Sequence, residues 1–133
     1  MSIHRKAAWA FFTLLLAGSG ATAGAEGDAE AGAGKWRSCV ACHTIGQGEP
    51  HRAGPNLWGI FGAPAASRAG YAYSPALVAA GIVWTRETLD AWLKRPGALV
   101  PGSRMRHAGL ARAEDRADII AFLRAHGPVD LRR

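Results

Sequence analysis

Cys39-Val40-Ala41-Cys42-His43 is the stretch whose reading decides the fold. Two cysteines three apart, with histidine directly after the second, form the pattern for covalent attachment of a c-type haem. On a helical turn, positions i, i+3 and i+4 share one face. Cys39 and Cys42 can then each reach a haem vinyl group, and His43 turns an imidazole nitrogen to the iron as proximal ligand. Other chemistries use similar pieces. A thioredoxin-type redox pair wants a βαβ context, and the sequence has no convincing strand. A structural zinc site wants a second pair of ligands, yet these are the chain's only cysteines. A plain disulfide between the two is the bland alternative.

Toward the N-terminus, His4, Arg5 and Lys6 precede an apolar run from Ala7 to Ala17, and small residues continue to Ala25. That order reads as a cleavable secretory signal over residues 1–25, cut after Ala23 or Ala25. The domain is then 26–133. The apolar run is short for a membrane span, and an uncleaved anchor is the alternative. Export suits the motif, because c-type attachment takes place outside the bacterial cytoplasm. The 133-residue chain carries a formal charge of +6. Loss of Arg5 and Lys6 leaves +4, with no basic run of the kind that binds nucleic acid.

Just before the motif, Asp28 is an N-cap candidate. Ala29, Gly32, Ala33, Trp36 and Val40 recur at helical spacing, which predicts one amphipathic helix running into the motif. After His43, glycine and proline punctuate a long stretch of loops, acceptable in a small domain if it wraps a cofactor. Ser74 and Pro75 open a short helix that Gly81 ends. Thr85 caps another, with Leu89, Trp92 and Leu93 as its apolar stripe and Pro96 as its stop. The last runs from about Ala113 to Gly127-Pro128, burying Ile119, Ile120, Phe122 and Leu123. The expectation is an all-α single domain.

One axial position of the iron remains. Outside the leader the only methionine is Met105, in a Pro-Gly loop between Arg104 and Arg106. A lone methionine is usually core filler, but this one lies off every apolar stripe. A thioether turned inward to iron explains it better, and Met/His ligation raises the reduction potential. His107 is the serious rival ligand. His51 is expected in a solvated loop, and His126 at a helix C-terminus.

Taken in order, these residues resemble the class I cytochromes c, most closely the bacterial cytochrome c2 and mitochondrial groups. The match covers Gly32 and Trp36, the CxxCH motif and Gly54-Pro55-Asn56-Leu57. It continues through Tyr73-Ser74, Trp84, Leu89 with Trp92-Leu93, Pro96 and Pro101-Gly102-Ser103-Arg104-Met105. The resemblance implies one enclosed haem c, with Gly32 touching Ile119 and Phe122 where the first and last helices cross. It implies that a carbonyl beside Pro55 orients His43, and that Tyr73 and Trp84 bond a propionate with Ser103 nearby. Ser74 belongs to the same pocket, and Trp92 stands on the methionine side. The family usually has a basic residue near a propionate where this chain has Ala63, and an aromatic where it has His107.

A haem with both axial positions filled suits one-electron exchange rather than substrate turnover. The expected function is therefore a monomeric periplasmic electron carrier, not an enzyme. The resemblance implies membrane redox complexes as partners: a cytochrome bc1 complex as donor, and a terminal oxidase or photosynthetic reaction centre as acceptor. Arg37, Arg52, Lys94, Arg95, Arg104, Arg106 and Arg112 would form a positive rim for acidic docking faces. The alternatives are a dedicated acceptor or haem subunit of a periplasmic dehydrogenase, and a ligand-binding or peroxidatic haem protein.

Overall fold

The computed structural model describes residues 26–128, so the expected leader lies outside the described residues. Helix α1 (Ala29–Lys35) starts where Asp28 accepts hydrogen bonds from the Glu30 and Ala31 amides, satisfying donors that a helix N-terminus leaves open. It ends sooner than the periodicity predicts. The chain tightens into a 3-10 turn over Trp36–Ser38, with Cys39 N donating to Trp36 O at 2.8 Å. The Ser38 hydroxyl takes the Lys35 carbonyl, the local competition that hydroxyl side chains offer a helix. A further turn carries the motif, where Cys42 N and His43 N both donate to Cys39 O.

Residues 44–74 form no helix, and the one β-bridge among the described residues is an isolated antiparallel one between Pro64 and Val83. Helix α2 (Pro75–Ala79) begins on the Ser74 cap with Pro75 in its first turn, and α3 (Arg86–Lys94) on a reciprocal Thr85/Thr88 capping box. Pro96 stops α3 as expected, but a short α4 (Pro96–Leu99) follows at once. Proline's fixed φ suits a first helical position as well as it forbids an interior one. Arg95, extended at φ −164°, makes the corner between the two. Helix α5 (Ala113–Ala125) closes the fold. Among the described residues no helix is long and apolar enough to cross a membrane.

The crossing of α1 and α5 is the main helix contact. A Cβ on Gly32 would lie 2.1 Å from the Asp118 carbonyl oxygen and 2.8 Å from Phe122 Cβ. Phe122 is thus one expected neighbour, and the Asp118 backbone, which leads directly into Ile119, comes nearest. Ile119 itself is almost wholly buried in the core. Trp36 and Phe122 pack with ring centroids 5.4 Å apart. Lys35 Nζ reaches both Asp118 and Asp115, and Asp118 also accepts the Asp28 amide at 2.8 Å. On the other flank the buried Arg116 donates to Asp90 at 2.7 Å and to the Leu110 and Ala111 carbonyls. That side chain ties α5 to α3 and to the loop that carries Met105.

Candidate haem site

A cavity of about 390 Å³ opens between the motif, the 71–74 segment, α3, the 103–107 loop and α5. All ten residues expected of the site line it: Cys39, Cys42, His43, Pro55, Tyr73, Ser74, Trp84, Trp92, Ser103 and Met105. The sequence separation between His43 and Met105 is bridged by helix packing, which local spacing does not encode.

His43 is buried, and its Nδ1 donates to the carbonyl of Pro55 itself at 2.7 Å. That bond places the neutral ring's remaining lone pair on Nε2. Burial pushes its pKa below the ordinary imidazole value, partly offset by the Pro55 carbonyl, so the ring stays neutral, as a metal ligand must. Gly54 makes the arrangement possible, since a Cβ there would sit 2.3 Å from His43 Cε1. Behind it the buried Asn56 side chain donates to Thr44 Oγ1 and the Gly46 carbonyl, both at 2.9 Å, and accepts from Trp58 N. This knot fixes the loop that aims Pro55. Asn56 stood in the sequence pattern without a role, because a buried asparagine looks like any turn residue until its partners are known.

Cys39 and Cys42 are not joined as a disulfide. Burial raises the Cys39 pKa, with the Ser38 hydroxyl pulling the other way. Among the described residues there is no group of three or more His, Cys, Asp or Glu placed to hold a metal ion.

Met105 packs against the core, and its Sδ accepts a hydrogen bond from Trp92 Nε1 at 3.1 Å. The lining indoles of Trp84 and Trp92 meet edge to face at 5.3 Å. Ser74 Oγ is occupied as the cap of α2, accepting from Leu77 N, while the Tyr73 hydroxyl accepts from Arg68 N at 3.3 Å. Ser103 Oγ is buried without a partner.

The histidines sort themselves by their bonds. His107 lines the cavity, but its Nδ1 accepts from Gly109 N at 2.9 Å, which leaves the neutral ring's proton on Nε2. His51 is no solvated bystander. Its Nδ1 accepts from Asn56 N and its Nε2 donates to Ala69 O, clamping two parts of the long loop. His126 donates from Nδ1 to Phe122 O at 2.7 Å.

Of the expected basic rim, Arg104 and Arg106 are exposed where they line the cavity. Arg52 reaches the Val40 carbonyl within the motif at 2.9 Å. Arg112 departs from the expectation, because Glu114 and Asp115 lie 3.7 and 3.9 Å from its guanidinium and offset its charge.

The donor set fits a haem. The lining is predominantly apolar, with a cysteine pair, an imidazole with one free nitrogen, a thioether sulfur and an unpartnered buried hydroxyl. A flat apolar ring with carboxylate arms matches each of these.

Comparison with known proteins agrees. The family profile described as "Cytochrome c" matches residues 29–127. A cytochrome c from Stellaria longipes is 43% identical over 99 residues, spanning 74% of this chain and 92% of its own length. A cytochrome c homolog from Rickettsia felis is 41% identical over 90 residues, 68% of this chain, which spans about half of that longer protein. Among solved structures, cytochrome cH from Methylobacterium extorquens superposes with a TM-score of 0.71 at 39% identity, covering 74% of this chain and 99% of its own.

Proposed function

The chain belongs to the cytochrome c family, is a haem-based electron carrier by that membership, and carries one covalent haem c; from that premise we propose a diffusible periplasmic shuttle with His43/Met105 axial ligation. Residues 1–25 direct export and are removed, leaving 26–133 as the working protein. The donor is a cytochrome bc1-type complex, and the acceptor is a terminal oxidase or a photosynthetic reaction centre. The protein works as a monomer.

When bound, the haem supplies reversible one-electron exchange at iron. The chain's own residues do the rest. Cys39 and Cys42 anchor the group through thioethers. Pro55 O holds the His43 tautomer and ring plane, the kind of outer-shell hydrogen bond that orients a metal ligand. Trp92 Nε1–H engages one sulfur lone pair of Met105 and leaves the other for iron. The apolar lining from α3 and α5 excludes water, which favours the less charged, reduced state. Arg104 and Arg106 at the rim draw acidic docking faces toward the cavity mouth.

The observation that carries this reading is the pairing of two pre-set ligands on one cavity: His43 held by Pro55, and the Met105 sulfur held by Trp92. The test is the far-red absorption of the ferric holoprotein. A sulfur-to-iron band that disappears in M105A supports the assignment. A low-spin spectrum lacking that band transfers the sixth position to a histidine, and a high-spin spectrum replaces carrier chemistry with ligand binding.

A further inference from the structure

Arg68 is a cation that no motif announces. Its side chain folds inward, and Nη2 donates to the Trp58 carbonyl at 2.6 Å. Its Nε is buried with no hydrogen-bond partner, and no carboxylate pairs with it in any ion pair of the described residues. A desolvated guanidinium N–H left unmatched is costly, and an anion is its natural complement.

Its surroundings indicate where that anion comes from. The Arg68 amide donates to the Tyr73 hydroxyl oxygen, whose own O–H is thereby left free to donate. Tyr73 and Ser103 both line the haem cavity. Ser103 Oγ is the other buried polar side-chain atom without a partner among the described residues. No Asp or Glu lines the cavity. Unmatched donors therefore sit on and beside the wall of a cavity whose cofactor brings carboxylates. Burial raises the Tyr73 pKa, while the Arg68 amide bond and charge lower it.

We propose that Arg68, acting alongside the Tyr73 hydroxyl, is the cation that holds a haem propionate ionised in this protein. The positive charge that the family usually carries where this chain has Ala63 is then supplied from five residues further along the chain. Arg68 does not line the cavity itself, so it is a positioning residue that works through its charge and through Tyr73. The inference rests on haem occupancy and not on which partners the carrier serves.

The test is spectroelectrochemical titration of the holoprotein against pH, for wild type, R68Q and R68K. Glutamine keeps a donor for the Trp58 carbonyl and loses the charge, whereas lysine keeps the charge. With Arg68 as the propionate's cation, the wild-type potential is flat from mildly acid to mildly alkaline pH. R68Q lowers the potential at the alkaline end, since a lost nearby cation favours ferric iron, and acquires a pH-dependent slope as the propionate titrates. R68K stays close to wild type. The idea is overturned if R68Q and R68K share one potential and one pH profile, with only their thermal midpoints displaced. That result would make Arg68 a strut for the Trp58 carbonyl. A sloping wild-type profile overturns it without any variant, which covers the case where R68Q fails to accumulate. The absorption spectrum of each sample reports haem attachment independently, so failure of the haem assignment cannot be mistaken for failure of Arg68's role.

Discussion

Trp92 and Met105 show what a single hydrogen bond contributes to the site. A thioether sulfur is a weak acceptor, and an indole N–H can only donate, so the 3.1 Å contact draws electron density off the sulfur. That makes Met105 a poorer donor to ferric iron and raises the potential. W92F keeps an aromatic side chain and removes the donor. If the differential is about 0.5–1 kcal/mol, the potential falls by on the order of 20–40 mV on the one-electron scale. An unchanged potential would show that the contact packs the sulfur without tuning it. Gly54 is the second sensitive residue. With 2.3 Å between a new Cβ and His43 Cε1, G54A must displace the imidazole or the loop, and we expect a loss of about 2 kcal/mol or more in stability. Denaturant melts followed at the Soret band check this, the band shifting as the His43 bond loosens.

At the scale of elements, the α1–α5 crossing holds the motif against the far end of the chain. G32A forces a methyl into the Asp118 carbonyl, and the two helices must separate. The expected loss is about 2–4 kcal/mol, read by urea unfolding, and an unaltered midpoint would mean that the crossing is loose. The Lys35–Asp118 contact of the same crossing has a pH signature. The Lys35 hydrogen bond first, and the Asp28 amide second, hold the Asp118 carboxyl below its usual 3.8. A depressed folded pKa contributes stability above the unfolded value, and that contribution is lost as pH falls through the folded one. The gap in urea midpoint between wild type and D118N should therefore be constant near neutrality, begin to narrow only below about 3.8, and close as pH falls through the lower folded value. A gap that persists in acid would remove the ion pair as its source. Lys35, whose pKa is raised chiefly by its bonds to Asp118 and Asp115, gives the mirror case. Its contribution is present below 10.5 and fades as pH climbs through the higher folded value.

For the molecule as a whole, cofactor and core are one body. Leu77, Trp84, Leu89, Trp92, Leu93, Ile119 and Leu123 are core residues that also line the cavity. Without haem their inner faces have no apolar partner. A C39A/C42A double variant unable to bind haem covalently should lose cooperative thermal unfolding and near-ultraviolet dichroism while keeping part of its helix signal. A sharp unfolding transition in that variant would show that the helices suffice by themselves. The charge distribution acts at the same scale. Electron exchange with an acidic redox partner should slow as salt rises, and R106E should slow it about 3- to 10-fold at low salt, with the difference vanishing at high ionic strength. Equal rates for both proteins at low salt would move the docking face away from the Met105 loop.

Much of this protein was written locally. Caps at Asp28, Ser74 and Thr85, the stops at Gly81 and Pro96, and the CxxCH spacing each depend on neighbours within about one helical turn, so they are legible in the order of residues. Of the ten expected site residues that line the cavity, Cys39, Cys42, His43 and Met105 were named by their chemistry, and the other six through ordered motifs carried by the family resemblance. What only the tertiary structure decided was the set of partners brought together across the chain. These include the Asp118 carbonyl under Gly32, the Trp92 indole on the Met105 sulfur, the clamp made by His51 and the guanidinium of Arg116 beneath the Met105 loop. Arg68 is the clearest case. A lone arginine between Ser67 and Ala69 reads as solvated surface, since only burial leaves its Nε without a partner, and burial is a property of the packed chain rather than of any segment of it.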